Sequence, residues 1–158
     1  MRKAGFCLIV CFALALFSLA QEEKPLKIKS SISPARLARA QEGKVVLELV
    51  VEKGVAISPH PSFIIEFSSC EELVFPKNFF TASDLEIETS EENGHEYLNL
   101  KKPIEIPFTV NTEAKRGRHT LQGKIKYFAR STQEGWCLKA TSEFSAPFYT
   151  RQITIKKP

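Results

Sequence analysis

The chain has 158 residues, of which 43% are hydrophobic and 25% are charged, and its formal net charge is +4 at pH 7. This length suits one ordinary domain. So small a net charge gives no electrostatic case for a nucleic-acid partner.

The first twenty residues have the pattern of a secretory signal peptide. Arg2 and Lys3 precede the apolar run AGFCLIVCFALALF, and small residues stand at −3 and −1 of a predicted cleavage after Ala20. The run is shorter than the roughly 20 residues that span a bilayer, and no second such run follows. We expect residues 1–20 to be removed, although a retained N-terminal anchor is the alternative. The mature domain, residues 21–158, would be periplasmic or secreted, without a membrane span.

Removal of this leader changes both the charge and the cysteine count. The net charge falls from +4 to +2 with the loss of Arg2 and Lys3, and only Cys70 and Cys137 of the four cysteines remain. Export would place both in a compartment where disulfides persist.

The mature sequence predicts β-strands nearly throughout. Residues 44–52, 62–67, 103–110 and 151–157 are rich in β-branched side chains, and 121–127 alternate with a period of two.

Between these strands the sequence carries turn signals. Asn93-Gly94 suits the positive φ angles of a type I′ turn and predicts that LEIET and EYLNL pair as a hairpin. Residues 33–43 lack a strand pattern, so we expect a loop with a short helical turn there. Seven to nine short strands without crossover helices indicate an all-β fold, a single antiparallel immunoglobulin-like β-sandwich.

Cys137 ends the segment YFARSTQEGWC, and the residues alone leave three readings of it open. It is a reactive redox thiol if Arg130 and Lys139 lie near it in space, because a neighbouring cation favours the thiolate. It is half of a structural disulfide with Cys70, which would stabilise the fold by roughly 4 kcal/mol. Or it is an inert thiol that packs as a small hydrophobe. Cys70 is followed by two glutamates and is therefore the poorer nucleophile.

Other polar groups in the sequence give weaker indications. His60, His95 and His119 do not stand at metal-ligand spacing with other ligand residues, so we expect surface turn residues, no metal site and no cofactor. The basic segment EAKRGRH (113–119) is expected to be a solvated turn, with an anion or partner contact as the alternative.

The quoted segments together resemble a known family over nearly the whole mature chain. SPARLARAQEGKVVLELVVEKGVAISPHPSF, FPKNFF, IEIPFTV and GRHTLQGKIKYFARSTQEGWC are similar, in this order, to the N-terminal periplasmic domain of the thiol:disulfide interchange protein DsbD family. The resemblance implies an immunoglobulin-like sandwich. It also implies two redox cysteines flanking a short loop, which carry electrons from a membrane-embedded partner to periplasmic disulfide proteins.

One position departs from the family pattern. Gly117, Gly123 and Tyr127 match, and Cys137, next to Trp136, matches the second redox cysteine. Three residues after the matched tyrosine, where the first cysteine should stand, this chain has Arg130. Thiol–disulfide exchange needs a second sulfur to resolve the mixed disulfide, so the family's cycle cannot run within this loop.

The resemblance therefore implies an accessory or interaction module rather than an enzyme. Its partner would be a periplasmic thioredoxin-like protein or a membrane electron-transfer protein. Two alternatives are a one-cysteine protein that forms mixed disulfides through Cys137, and a structural or binding sandwich with a Cys70–Cys137 disulfide.

Overall fold

The computed structural model describes residues 24–152, so the predicted signal peptide and the residues after Gln152 lie outside the described part. Within it the chain forms twelve strands. In chain order they are β1 (Leu26–Ser33), β2 (Arg36–Ala38), β3 (Glu42–Val51), β4 (Val55–Ser58), β5 (Ile64–Phe67), β6 (Leu73–Val74), β7 (Phe79–Thr81), β8 (Thr89–Glu92), β9 (His95–Leu98), β10 (Ile104–Val110), β11 (Gly117–Ser131) and β12 (Cys137–Arg151).

The strands form two main sheets and a separate hairpin. One sheet has the order β1-β3-β10-β6. The other has the order β2-β12-β11-β5-β7, and β4 also pairs with β11. β8 and β9 form the separate hairpin. The predicted all-β, immunoglobulin-like sandwich is thus confirmed.

Alternating side chains of the two sheets form the core between them. In β10 the buried positions are Ile104, Ile106, Phe108 and Val110, and the residues between them are exposed. Every second residue of β11 from Leu121 to Ala129 is likewise buried. This period of two leaves one face of each strand for solvent, where the charged residues lie.

The turn at Asn93-Gly94 is confirmed, with φ angles of 53° and 75°. The two positive values are those of a type I′ turn, whose twist matches that of the flanking strands. The paired residues lie nearer the turn than predicted: β8 is Thr89–Glu92 and β9 is His95–Leu98, so residues 85–88 and 99–100 of the predicted segments lie outside the two strands.

The prediction for residues 33–43 was wrong. In place of a helical turn, Arg36–Ala38 form β2, which pairs in parallel with Tyr149–Arg151 at the end of β12. The two paired strands, β2 and the end of β12, are more than a hundred residues apart in sequence. No local sequence pattern can therefore predict that they pair. The number and length of the strands also exceed the prediction, since β11 and β12 have 15 residues each.

Candidate functional site

β11 and β12 form a long hairpin whose turn, residues 132–136, defines what we call the tip. The opposite end, where β11 begins at Gly117 and pairs with Thr150, is the base. All predicted site residues except Cys70 lie on the tip half of this hairpin.

Several contacts fix the conformation of the tip. The buried Ser131 Oγ accepts hydrogen bonds from the backbone N–H groups of Gln133 and Glu134, at 3.3 and 2.9 Å. Thr132 donates from its backbone N–H and its hydroxyl to the carbonyl of Gly54, at 2.9 and 3.1 Å. The turn is therefore held both internally and by the loop between β3 and β4.

Trp136 closes the tip from the inner side. It is partly buried and packs against the core, and its Nε1–H donates to Glu134 Oε2 at 3.0 Å. Gly135, just before it, has a φ of +76°, a left-handed conformation that glycine adopts without strain. The tryptophan is thus a structural part of the turn.

Arg130 and Cys137 are direct partners across the hairpin. The next pair towards the tip is hydrogen-bonded, with the Ser131 N–H donating to the Trp136 carbonyl at 2.9 Å. Arg130 and Cys137 therefore form a non-hydrogen-bonded pair, whose Cα atoms are usually about 4.5 Å apart and whose side chains share a face.

That shared face is the outer one. Cys137 is exposed, Arg130 is half-buried, and the residue before Arg130, Ala129, points into the core. Lys139 follows Cys137 by two positions and lies on the same face. No carboxylate of the described chain lies within 4.0 Å of either cation. Arg130 and Lys139 therefore lie on the same face of the sheet as the thiol.

Tyr127, by contrast, belongs to the core. It is only 1% exposed, and its hydroxyl is 3.0 Å from Ser142 Oγ, which donates to the carbonyl of Leu26 at 2.9 Å. It lies in the inner row of β11, so it does not contact solvent beside Cys137.

Cys70 lies far from Cys137, and both are free. The Ser68 N–H donates to the Gln122 carbonyl, which places Cys70 near the middle or base of β11, whereas Cys137 pairs with Arg130. Gln122 and Arg130 are separated by eight positions, or about 26 Å at roughly 3.3 Å per residue. A disulfide needs Cα atoms within about 7 Å. The Cys70–Cys137 disulfide, one of the three interpretations that the sequence left open, is therefore not formed in this fold.

Cys70 has the environment of an unreactive thiol. Burial raises the pKa of its half-buried thiol, and the neighbouring charge of Glu72 raises it further. The thiol donates to Glu72 Oε2 at 3.6 Å. The expectation that Cys70 is a poor nucleophile agrees with this arrangement.

The histidines occupy two kinds of place. His60 and His95 are exposed, as expected of turn residues, although His95 begins β9. His119 differs from the prediction, because it lies within β11 with its ring partly buried against Phe148. Its Nδ1 is 3.6 Å from Glu72 Oε1, and its Nε2 is 2.8 Å from the carbonyl of Lys115. Within residues 24–152 no three ligand-type residues are grouped to hold a metal.

No protein-family model matches the chain, and no curated protein is similar to it. Similar solved structures include a chain of a cohesin–dockerin complex from Clostridium thermocellum, at 14% identity and a TM-score of 0.43, over 81% of this chain and 100% of that one. BcpA, the major pilin subunit of Bacillus cereus, is 11% identical with a TM-score of 0.44, over 80% of this chain and 40% of that one. A cohesin module of a family 33 glycoside hydrolase from Clostridium perfringens is 9% identical with a TM-score of 0.40, over 80% and 96%. None of these is a thiol:disulfide interchange protein, and the likeness concerns the β-sandwich alone.

The described residues contain no helix with the length and apolar character needed to cross a membrane.

Proposed function

We propose that this chain is an exported interaction module, related to the N-terminal domain of the DsbD family, that has lost dithiol exchange and keeps the hairpin tip as its partner-binding surface. The observation that carries the proposal is the Arg130–Cys137 pair. An arginine stands where the resemblance expects a cysteine, directly across the hairpin from the sulfur that is present.

The start of β12, which carries Cys137, suits contact with another protein. Leu138 follows Cys137 and faces the opposite, inner side of the sheet, yet it is 41% exposed. The first residues of β12 pair only with β11, because β2 reaches no further than Tyr149. An exposed leucine beside an unpaired strand edge offers apolar area and backbone hydrogen-bonding groups to a partner.

The experiment measures binding to a thioredoxin-like protein of the same compartment, by titration under reducing conditions so that no disulfide forms. Leu138→Glu should weaken the affinity at least about tenfold, since it places a charge in the contact. Val50→Glu is the matched control, because Val50 is a still more exposed hydrophobic residue on the other sheet. Undetectable binding of the unaltered chain, or equal losses in both variants, would refute the proposal.

A second candidate function is supported by the exposure of Cys137 between Arg130 and Lys139 on one face. In this function the Cys137 thiolate attacks a disulfide of the partner. A Cys137–partner disulfide forms, and the partner's other cysteine leaves as a thiolate. Since the resolving sulfur is missing from the loop, the adduct persists until an external thiol reduces it.

This candidate is separated from the first by a mass measurement after mixing the reduced chain with the oxidised partner. A covalent adduct that survives in Cys70→Ser and is lost in Cys137→Ser would establish one-cysteine chemistry. Non-covalent binding without an adduct in either variant would leave the interaction module as the function.

A further inference from the structure

Three arginines that are distant in sequence lie together at the base of the sandwich. The register of β2, β12 and β11 aligns Arg36 with Tyr149 and Tyr149 with Arg118 across three neighbouring strands. Arg151 lies two positions after the tyrosine on β12. We call Arg36, Arg118, Arg151 and Tyr149 the arginine face.

The four side chains share the outer side of the sheet. Direct partners on neighbouring strands point to the same side, and so do residues two positions apart on one strand. The guanidinium carbon of Arg36 lies 5.7 Å from the centre of the Tyr149 ring, which confirms this for that pair. The alternate positions Leu37, Phe148 and Thr150 are buried on the inner side.

The charge of this face is not neutralised within the described chain. None of its three arginines has a carboxylate within 4.0 Å, whereas lysines elsewhere on the sheets are paired with glutamates, as Lys44 is with Glu105 and Lys126 with Glu66. Along the outer side of β12 the next carboxylate is that of Glu143, six positions from Tyr149, or about 20 Å.

The outer-side residues between the arginine face and Glu143 are neutral. On β11 they are Thr120 and Gln122, and on β12 they are Ser145 and Pro147. Arg116 immediately precedes β11 and adds another positive charge at this end of the hairpin. The arginine face itself therefore carries an excess of positive charge in a chain whose total charge is small, while the carboxylates of Glu71, Glu72 and Glu113 lie around Lys115 at the same end of the sandwich.

The chemistry of the arginine face fits a surface of phosphate groups. Guanidinium groups bind phosphate oxygens through two parallel hydrogen bonds, and tyrosine is frequent at the level of lipid headgroups. Arginine and tyrosine are also frequent in protein interfaces, but such interfaces usually have an apolar centre, which this face lacks. The large exposed hydrophobic residues of the described chain, Val50, Val74, Phe79 and Leu138, all lie outside this face.

We propose that the arginine face docks this domain on the surface of an anionic phospholipid membrane. The contact is electrostatic and peripheral, it uses the base of the sandwich, and it leaves the hairpin tip free at the other end. It does not depend on the function proposed for the tip.

The test is vesicle co-sedimentation with vesicles containing phosphatidylglycerol and, separately, vesicles of phosphatidylcholine alone. The chain used starts at Gln21, because the apolar leader would itself enter vesicles, while residues 24–152 hold every described element of the fold. Arg36→Gln, Arg118→Gln and Arg151→Gln are combined in one variant. The matched control combines Lys27→Gln, Lys53→Gln and Lys101→Gln, which remove the same charge from exposed positions elsewhere.

We expect binding to the anionic vesicles only, weakened on the order of 100-fold in the arginine variant and far less in the lysine control, since each basic residue near an anionic surface contributes substantially. Raising the salt to about 1 M should abolish the binding. The proposal is overturned by failure of the unaltered chain to bind, by equal losses in both triple variants, or by binding to duplex DNA without binding to vesicles.

Discussion

Arg130 and Cys137 are cross-strand partners on the outer face of the β11–β12 hairpin, one position from the turn. A cysteine at position 130 would be as close to Cys137 as any residue on a neighbouring strand can be. Position 130, where the resemblance implies the first redox cysteine, thus lies directly opposite Cys137. The hydrogen bonds that hold the rest of the tip, from Glu134 to Ser131 and from Trp136 to Glu134, do not involve a sulfur atom.

The hydroxyl of Tyr127 is expected to contribute to stability and not to the chemistry of the tip. Tyr127→Phe removes a buried hydrogen bond to Ser142 and should lower the free energy of unfolding by about 1 kcal/mol. Urea denaturation measures this loss. The rate of Cys137 alkylation in the same variant should equal that of the unaltered chain. A changed rate with unchanged stability would mean that Tyr127 acts on the thiol.

Gly123 is required by the ring that lies over it. A Cβ atom at this position would overlap Phe144 Cζ and lie 2.9 Å from the Glu66 carbonyl oxygen. Gly123→Ala should therefore destabilise the fold by about 1–3 kcal/mol, as overpacked core substitutions do.

Because the nearest clash is with a side chain, Phe144→Leu should reduce the cost of Gly123→Ala. A double-mutant cycle by urea denaturation tests this coupling. Equal costs of Gly123→Ala in both backgrounds would show that the ring is not what excludes a side chain there.

Asp84 should make the stability depend on pH in acid. Its carboxylate accepts from Lys77 and from the N–H and hydroxyl of Thr81, and these bonds lower its pKa to about 2. A carboxyl whose pKa is lower in the folded state stabilises the fold above its unfolded value, about 3.9, and loses this effect as the pH falls towards 2.

Asp84→Asn should therefore have a lower Tm than the unaltered chain at pH 7. The difference should be constant down to about pH 5 and shrink between about pH 4 and pH 2. Thermal unfolding followed by circular dichroism over this range checks it. A difference that does not change with pH would mean that the carboxylate charge is not involved.

Features with local causes could be predicted from the sequence. The turn at Asn93-Gly94 follows from the backbone preferences of these two residues. The alternation of apolar and polar residues in 103–110 predicts which side chains of β10 are buried. The reciprocal bonds between Thr81 and Asp84 follow a Thr-x-x-acid capping pattern, which is a local signal in the sequence.

Features that depend on register could not be predicted. Residues 36–38 form the strand β2 because they pair with the end of β12. The same register brings Arg36, Arg118 and Arg151 together in the arginine face. The pairing of Cys70 with Cys137 stayed open for the same reason. Which cysteine lies at which end of β11 depends on the pairing of β5 with β11, and nothing near either cysteine in the sequence specifies it.

The central claim is that Arg130 occupies the position of the first redox cysteine implied by the resemblance. The substitution Arg130→Cys tests this claim most directly. The mass of the oxidised variant, with alkylation before and after reduction, counts its free thiols. Ala56→Cys is the control, because Ala56 pairs with Arg130 from the far side and lies two strands, about 9.6 Å, from Cys137. For the chain that starts at Gln21, and so lacks Cys7 and Cys11, we predict that Arg130→Cys keeps only the Cys70 thiol free until it is reduced, whereas Ala56→Cys keeps three free thiols. A folded, oxidised Arg130→Cys variant with three alkylatable thiols would contradict the account.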